Sequence, residues 1–376
     1  MTSESARAKR RQQRTQRITA EFNMPGGFSV DGSSATETPL MHILAYSEHG
    51  YVEQAVRDPA QLIEYLAKWP VTWINVDPVG FGPNAQAFME RLGKLFNLHE
   101  LELEDIINVH QRAKVEEYEE HIFVVTRMLV NRDSAESEQL SLFLGKNFVL
   151  TFREMASDCL DPVRDKIRKS RGRIRFEKAD YLMYAIIDAV VDSYFPLLAK
   201  LADRLDTIEE EILEKSEKNT PEDVYEVRRD VLAIRKSVWP TREALSSLYR
   251  DTNPLVSEHT RLYLRDCYDH AVRIIDFVEM YREVASALME LHYTRVSNRL
   301  NEVMKVLTII TTLFIGPSFV ASLYGMNFNT DKSPLNMPEL SWYFGYPLAL
   351  SLMAIFSLSI LMYLYFRGFL GPQKRG

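Results

Sequence analysis

Two long stretches without a charged side chain lie near the C-terminal end of the chain. The first runs from Val306 to Tyr324 and the second from Leu340 to Phe366. At about 1.5 Å of rise per residue, the first would extend roughly 28 Å as a helix, enough to cross the hydrocarbon core of a bilayer. Two such runs joined by a short polar loop are atypical of a soluble core. The sequence therefore predicts two transmembrane helices, with the lipid bilayer as a partner.

Basic residues flank the outer ends of these two spans. Six lie close to the spans in the sequence, namely Arg295, Arg299, Lys305, Arg367, Lys374 and Arg375. The loop between the spans has only Lys332. By the positive-inside rule, this distribution places both termini in the cytoplasm. The N-terminus lacks the apolar region of a signal peptide, so we expect a multi-pass protein of the cell (inner) membrane.

The net charge of minus 7 hides a strongly acidic middle region. Residues 1–17 carry plus 5, the loop between the spans minus 1 and the C-terminal tail plus 3, which leaves minus 14 for residues 18–305. A region this acidic repels nucleic acid and attracts cations. Cys159 and Cys267 are too few and too far apart to predict a disulfide framework or a thiolate metal site.

The region before the spans has the alternating pattern of an α/β domain. Strand-like runs occupy residues 41–46, 71–76, 122–130, 140–144 and 148–152. Gly145, Lys146 and Asn147 join the last two runs as a hairpin. Helical spacing of apolar residues predicts helices over 83–96 and 179–218, and a further helix with its N-cap at Thr220 that ends near Tyr249.

Residues 255–315 contain neither glycine nor proline and carry apolar residues at helical spacing. As one helix, these 61 residues would extend roughly 90 Å. An uninterrupted helix of this length is typical of a stalk, and this one continues into the first span. Gly316 and Pro317 predict a local break inside that span.

The predicted organisation follows from these patterns. It comprises a disordered basic tail (1–38), a cytoplasmic α/β domain with an acidic helical hairpin (39–250), a stalk helix (251–300), a first transmembrane helix (301–325), a periplasmic loop (326–341), a second transmembrane helix (342–366) and a basic cytoplasmic tail (367–376).

Common catalytic signatures are missing from the sequence. It has no G-x-S-x-G elbow, no P-loop and no H-E-x-x-H, and the pair Gly80 and Gly82 lacks the third glycine of a dinucleotide loop. The eight histidines have no ligand spacing. We therefore expect no enzyme, and neither nucleic acid nor a nucleotide as partner.

One face of the first span carries small polar residues. Steps of three and four place on it Asn301, Met304, Thr308, Thr311, Ile315, Ser318, Ser322 and Gly325. In lipid, such a face favours either a partner helix packed through small residues or contact with water. The residues alone do not favour one of these alternatives over the other.

The segment that follows the first span carries a recognisable motif. It reads Tyr324, Gly325, Met326, Asn327, Phe328, and Met337-Pro338-Glu339-Leu340 follows shortly after. Here the chain resembles the CorA family of magnesium and cobalt channels, whose signature is Gly-Met-Asn at the end of the first of two C-terminal membrane helices. The resemblance extends back through residues 103–112, 179–195 and 265–270, and so covers nearly everything after residue 40.

The resemblance implies a funnel-shaped homopentamer in which the first membrane helices enclose a pore. Gly325, Met326 and Asn327 would form its selectivity filter. Amide and carbonyl oxygens suit Mg²⁺, which binds oxygen and gives up its water reluctantly. The resemblance also assigns a hydrophobic gate to Met304, Leu307 and Ile315, and puts Asn301 at the cytoplasmic mouth.

The resemblance further implies regulatory divalent ions bound between subunits, which favour the closed state. The matching residues are Asp105 and Asp266, with Glu104, Asp188 and His270 nearby. Two departures from the family pattern stand out. Gly316, Pro317 and Ser318 replace the Pro-x-Thr of many members, and residues 329–336 lengthen the loop after the motif.

Together these features predict passive, membrane-potential-driven influx of Mg²⁺, and of Co²⁺, gated by cytoplasmic Mg²⁺. Mg²⁺ would be both transported and regulatory. A zinc transporter of the same fold is the alternative within the family, which Met326 argues against. A membrane-tethered metal sensor that conducts nothing is the alternative from another class.

Overall fold

The computed structural model describes residues 39–76, 83–108, 111–130, 134–153, 159–213, 220–326 and 335–367. It divides into two compact units, Met1–Ala287 and Leu288–Gly376. Several predicted features lie outside the described residues: the basic N-terminal tail, residues 214–218 of a predicted helix, Asn327, residues 329–334 of the loop segment, and the C-terminal tail from residue 368.

The first unit is built on a mixed β-sheet. Its strands are β1 (Met41–Ser47), β2 (Gly50–Val56), β3 (Val71–Val76), β4 (Lys114–Glu117), β5 (Ile122–Leu129), β6 (Ser137–Leu144) and β7 (Phe148–Arg153). Within the described residues their order is β2-β1-β3-β7-β6-β5-β4. Strands β3 and β7 run parallel, and all other neighbours are antiparallel. The five predicted strands are confirmed.

The sequence missed the two strands at the edges of the sheet. Strand β2 exposes five of its seven residues, and β4 is only four residues long. Neither strand has the alternation of apolar and polar residues by which a half-buried strand is recognised in a sequence. The predicted hairpin between β6 and β7 is present, and a Cβ at Gly145 would stand 2.7 Å from Cδ1 of Phe148. Any larger residue would require the Phe148 ring to move, so glycine suits this turn.

The helices of the first unit cover the sheet and extend the chain beyond it. They are α1 (Leu62–Lys68), α2 (Pro83–Phe96), α3 (Glu100–Ile107), α4 (Asp161–Arg168), α5 (Ala179–Asp192), α6 (Tyr194–Leu213), α7 (Thr220–Arg250) and the first part of α8 (Glu258–Tyr324). Apolar residues of α2, including Phe88 and Leu92, pack on sheet residues such as Ile74 and Leu150 in one buried core.

The single helix predicted over 179–218 is wrong. The chain forms two helices, α5 and α6, that meet at Ser193. Pro196 lies three residues later and has no backbone N–H, so it cannot continue the hydrogen-bond ladder of α5. Helix α7 begins at Thr220 itself, where the sequence predicted an N-cap.

The predicted long helix is confirmed as α8, which continues through the end of the first span. The predicted break at Gly316 and Pro317 is wrong, because α8 is helical through both residues. A proline inside a membrane-length helix is tolerated where neighbouring groups satisfy the freed carbonyl. The second unit also contains a 3-10 turn, Pro338–Ser341, and helix α9 (Gly345–Phe366).

Among the described residues, three helical segments have the length and composition to cross a membrane. The most apolar window of Ala179–Leu213 is 56% buried within the protein, whereas those of α8 and α9 are 6% and 0% buried. The first segment therefore belongs to a protein core, while α8 and α9 expose apolar surface. Aromatic side chains are exposed at both ends of α9, among them Trp342, Tyr346, Tyr363 and Tyr365. This placement is typical of membrane interfaces.

Candidate ion-conducting face and metal cluster

The residues predicted to line a pore lie on an exposed face of α8. Asn301, Thr308, Thr311, Ser318 and Ser322 are all exposed. The apolar members of the set, Met304, Leu307 and Ile315, have 54%, 56% and 62% of their surface accessible. Because none of these side chains is buried within the second unit, the whole face is free to contact water, lipid or another copy of the chain.

A different face of α8 is less exposed and contacts α9 at Gly316. Lys305, Ile309, Thr312, Gly316, Val320 and Tyr324 recur at helical spacing and are less exposed than the rest of the helix. Gly316 is buried, and a Cβ there would stand 2.8 Å from Cγ of Phe356 and closer still to two other ring carbons. A small residue thus lets the two helices approach closely. Within this unit, helix packing uses this face and leaves the polar face free.

Two hydroxyls on the exposed face are bonded to their own helix. Thr308 Oγ1 donates to the carbonyl oxygen of Met304 at 2.7 Å, and Thr311 Oγ1 donates to that of Leu307 at 2.9 Å. A hydroxyl has one hydrogen and two acceptor lone pairs. Because the hydrogen is used by the helix, each oxygen presents acceptors outward, where they suit a cation or its hydration water.

The first two residues of the predicted filter, Gly325 and Met326, directly follow the C-terminal end of α8. Gly325 and Met326 are exposed, and their N–H groups bond back to the carbonyls of Ala321 at 3.0 Å and Leu323 at 3.2 Å. The motif therefore begins where α8 ends. Asn327 lies outside the described residues.

Within the first unit, Asp188, Asp192 and His270 form a cluster with metal-ligand geometry. One ligand atom from each lies within 4.8 Å of the others. His270 Nδ1 is 3.1 Å from Asp192 Oδ1, and the ring of Phe195 stands edge-on to the imidazole at 5.8 Å. Asp188 and Asp192 are one turn apart on α5, while His270 comes from α8. Packing of these two helices brings the three ligands together.

Asp266 joins this cluster from one turn earlier on α8. Its Oδ2 lies 3.9 Å from His270 Nε2, and its side chain is mostly exposed. Burial, together with the charge of Asp192, raises the pKa of Asp188 to about 6. Burial also raises the pKa of the neighbouring Cys267 thiol, which remains protonated and is a poor metal ligand. Mg²⁺ prefers oxygen ligands and would use the two carboxylates, whereas Co²⁺ binds both carboxylate and imidazole.

Helix α3 presents the other two predicted metal ligands. Its N-terminus has a capping box between His99 and Glu102, and the buried Glu102 carboxylate lies 2.8 Å from His121 Nε2. Glu104 is exposed, whereas Asp105 pairs with Lys114 at 2.5 Å. Burial acts to lower the pKa of Lys114, but hydrogen bonds to Asp105 and Glu116 outweigh it, so the ammonium stays charged.

The structure therefore brings together only some of the predicted regulatory residues. Asp188, Asp266 and His270 share one cluster. Among the described residues of a single chain, no ion pair or hydrogen bond joins Glu104 or Asp105 to it. Sequence reasoning missed Asp192, although its spacing of four from Asp188, matched by Asp266 and His270, places each pair on one helix face.

Comparison with known proteins gives a consistent result. Residues 73–368 match the family described as CorA-like Mg²⁺ transporter protein. The chain is 43% identical over 354 residues to the cobalt/magnesium transport protein CorA of Thermotoga maritima, which covers 93% of this chain and 97% of that protein. It is 32% identical over 312 residues to the putative metal ion transporter YfjQ of Bacillus subtilis, covering 83% and 94%.

Solved structures show the same fold. The complete CorA magnesium transporter from Methanocaldococcus jannaschii superposes with a TM-score of 0.72 at 22% identity, over 86% of this chain and 97% of that one. This similarity extends over both units, including the α/β domain, the long helix and the C-terminal apolar helix. The match over residues 73–368 and the extensive identity to the Thermotoga protein together establish that this chain belongs to the CorA-like Mg²⁺ transporter protein family.

Proposed function

We propose that this protein is a passive channel for divalent cations, above all Mg²⁺ and also Co²⁺, and that the exposed face of α8 lines its pore. One observation carries the proposal. A membrane-length apolar helix contacts α9 through one face and leaves free another face that carries hydroxyls and an amide. Polar groups in a bilayer need partners, and water in a pore provides them.

The exposed face has two chemically different regions. Toward the motif, the oxygens of Ser318 and Ser322 would offer acceptors to hydrated cations. Met304, Leu307 and Ile315 would meet their counterparts from other copies as an apolar neck that excludes water in the closed state. This division gives one helix both a conducting surface and a gate.

The selectivity filter would be a ring of Gly325, Met326 and Asn327 from several copies. Neutral amide and carbonyl oxygens can recognise hydrated Mg²⁺ without stripping its water, which is costly for this ion. A homopentamer would close the ring and cover the apolar surface that α8 and α9 expose. Both termini would lie in the cytoplasm, with the chain crossing the cell membrane twice.

Transport would need no chemical energy source. A membrane potential of 100 mV provides about 2.3 kcal/mol for each charge, or roughly 4.6 kcal/mol for a divalent ion moving inward. Such a driving force is sufficient for influx against a modest gradient.

Divalent ions bound in the first unit would close the channel when cytoplasmic Mg²⁺ is abundant. The cluster of Asp188, Asp192 and His270 supports one such site, with Asp266 beside it. Asp105 and Glu104 of a neighbouring copy would complete the coordination between subunits. Asp105 is paired with Lys114 at 2.5 Å, so a metal ion would have to compete with that ammonium for the carboxylate. Bound metal would then stabilise the packed, closed assembly by mass action.

Flux into vesicles that contain the purified protein tests the proposal. Asn327→Ala should abolish Mg²⁺ uptake while the assembled oligomer remains intact, because the amide oxygens of the filter are lost. Asn329→Ala, two residues further along, is the matched control and should conduct normally. Undiminished and selective Mg²⁺ uptake by Asn327→Ala would refute the filter assignment. No uptake of any divalent ion by the parent would favour the sensor, and uptake of Zn²⁺ in preference to Mg²⁺ would favour the zinc transporter.

A further inference from the structure

A cavity of about 820 Å³ lies in the first unit, beside α4, the turn after it and the first half of α5. Lys166, Arg171 and Arg173 border this cavity, and Tyr181 and Tyr184 of α5 form part of its wall. None of these residues has a role in the proposed pore.

The charges around the cavity are unbalanced. Its acids on α4 are already paired, since Asp161 bonds Arg164 at 2.6 Å and Asp165 bonds Arg168 at 3.4 Å. Arg168 also holds Glu53 through two nitrogens, at 2.7 Å and 2.9 Å.

The other three cations differ from Arg168 in this respect. Among the described residues, the side chains of Lys166, Arg171 and Arg173 make no hydrogen bond or ion pair. The remaining acid in the lining, Asp188, interacts electrostatically with Lys166, and the lining as a whole holds four cations and three acids. The cavity therefore has an excess of positive charge, which attracts anions.

The turn that carries two of these cations is fixed. Arg171 donates its backbone N–H to the carbonyl of Lys166 at 2.9 Å, and Gly172 adopts a φ of 71°, which favours glycine. Arg175 donates to the carbonyls of Ile167 at 2.6 Å and Arg168 at 2.9 Å. Ile174, which directly precedes Arg175, is buried. Because the backbone is held in advance, an anion would bind without the entropic cost of ordering the turn.

The tyrosine wall adds an aromatic surface. The rings of Tyr181, Tyr184 and Tyr263 contact one another with centroids 5.2 to 5.3 Å apart. Burial raises the pKa of both Tyr181 and Tyr184, so their hydroxyls stay neutral and can donate hydrogen bonds. A planar base can stack on such rings, whatever its identity.

We propose that this cavity binds a nucleoside polyphosphate, with its phosphates on Lys166, Arg171 and Arg173 and its base against the tyrosines. Guanidinium groups pair well with phosphate oxygens, and the volume is suited to a ligand of this size. The inference revises the expectation that no nucleotide binds. That expectation rested on missing glycine-rich loops, whose backbone N–H groups are here replaced by cationic side chains.

Calorimetric titration of the full-length protein in lipid nanodiscs tests this assignment. ATP is titrated with excess Mg²⁺ and also without divalent ions, so the result depends neither on the metal cluster nor on conduction. Arg171→Gln combined with Arg173→Gln should weaken ATP binding at least about tenfold, because two charge-assisted contacts are lost. Lys94→Gln combined with Lys146→Gln removes the same charge from the same unit and should leave the affinity unchanged.

Two further ligands identify which part of the nucleotide is recognised. AMP should bind more weakly than ATP, since it has fewer phosphates for the cations. Tripolyphosphate should also bind more weakly than ATP, and Tyr181→Ala should remove that difference. Absence of ATP binding to the parent, or equal binding to the Arg171 and Arg173 double variant, would overturn the proposal. Equal affinity of the parent for tripolyphosphate and ATP would overturn the base contact.

Discussion

Gly316 provides a direct test of how the two membrane-length helices pack. It lies on the face of α8 that contacts α9, away from the proposed pore lining. A Cβ added there would stand 2.8 Å from Cγ of Phe356, with two other ring carbons nearer. Carbon atoms prefer separations of about 3.5–4.0 Å. Gly316→Ala must therefore move α9 or turn the ring of Phe356.

The cost of this substitution follows from the overlap. Inserting a methyl group into a well-packed contact typically costs about 1–3 kcal/mol. Because the ring of Phe356 is 46% exposed and has room to turn, we expect a value toward the lower end of this range. Phe356→Ala removes the obstructing ring and should relieve the clash. The double variant should therefore cost less than the sum of the two single variants, by about 1 kcal/mol or more.

Denaturant unfolding of the purified protein in detergent, followed by circular dichroism, measures these differences. The four proteins needed are the parent, Gly316→Ala, Phe356→Ala and the double variant. The reasoning about close packing would be refuted if Gly316→Ala unfolded at the same denaturant concentration as the parent. It would also be refuted if the two single effects simply added within about 0.3–0.5 kcal/mol.

Three further predictions concern the gate and the metal cluster. Leu307→Ser should increase Mg²⁺ leak through the closed channel in a vesicle flux assay, because a hydroxyl lets water into the apolar neck. The raised pKa of Asp188, about 6, means that the folded state favours its protonated form, so its contribution to stability falls as pH rises from about 4 through about 6. Since a metal ion must displace that proton, Co²⁺ affinity measured by calorimetry should fall as pH drops below about 6 and proton release should accompany binding. Asp105→Lys combined with Asp266→Lys should abolish the dependence of current on cytoplasmic Mg²⁺ and remove Mg²⁺ protection of the long helix against protease.

Each of these predictions has its own control. Val306→Ser, at an equally exposed position of α8 outside the predicted stripe, should not increase leak, and an equal effect at Leu307 and Val306 would mean that the stripe is not the neck. Asp188→Asn should reduce the pH dependence of Co²⁺ binding, and an unchanged profile would place that titration elsewhere. Glu209→Lys with Glu210→Lys matches the charge change of the regulatory pair. Closure of the Asp105 and Asp266 double variant at the same cytoplasmic Mg²⁺ as the parent would refute the sensor role but not the channel function.

Local patterns in the sequence were sufficient for the elements that depend on few neighbours. The charge-free runs, the helix from residue 258 onward and the hairpin at Gly145 follow from composition, spacing and turn chemistry. Strands β2 and β4 could not be predicted in this way, because an edge strand is stabilised by hydrogen bonds to its neighbour and does not need an alternating pattern of buried residues. The helix end at Ser193 was missed although Pro196 marked it, since the apolar periodicity continues across that position.

The candidate sites divide in the same way. The polar face of α8 lies on a single helix, so spacing alone defined it, and the Gly-Met-Asn motif gave the family. The metal cluster joins α5 to a residue 78 positions later on α8, and the pairing of Asp105 with Lys114 joins a helix to a strand. The grouping of Lys166, Arg171 and Arg173 around one cavity became visible only in the tertiary structure, together with the partners of the neighbouring acids. The sequence by itself determined which residues share one face of a helix. Contacts between side chains of separate elements were decided only by the tertiary structure. The reason is that no local periodicity encodes which helix packs against which.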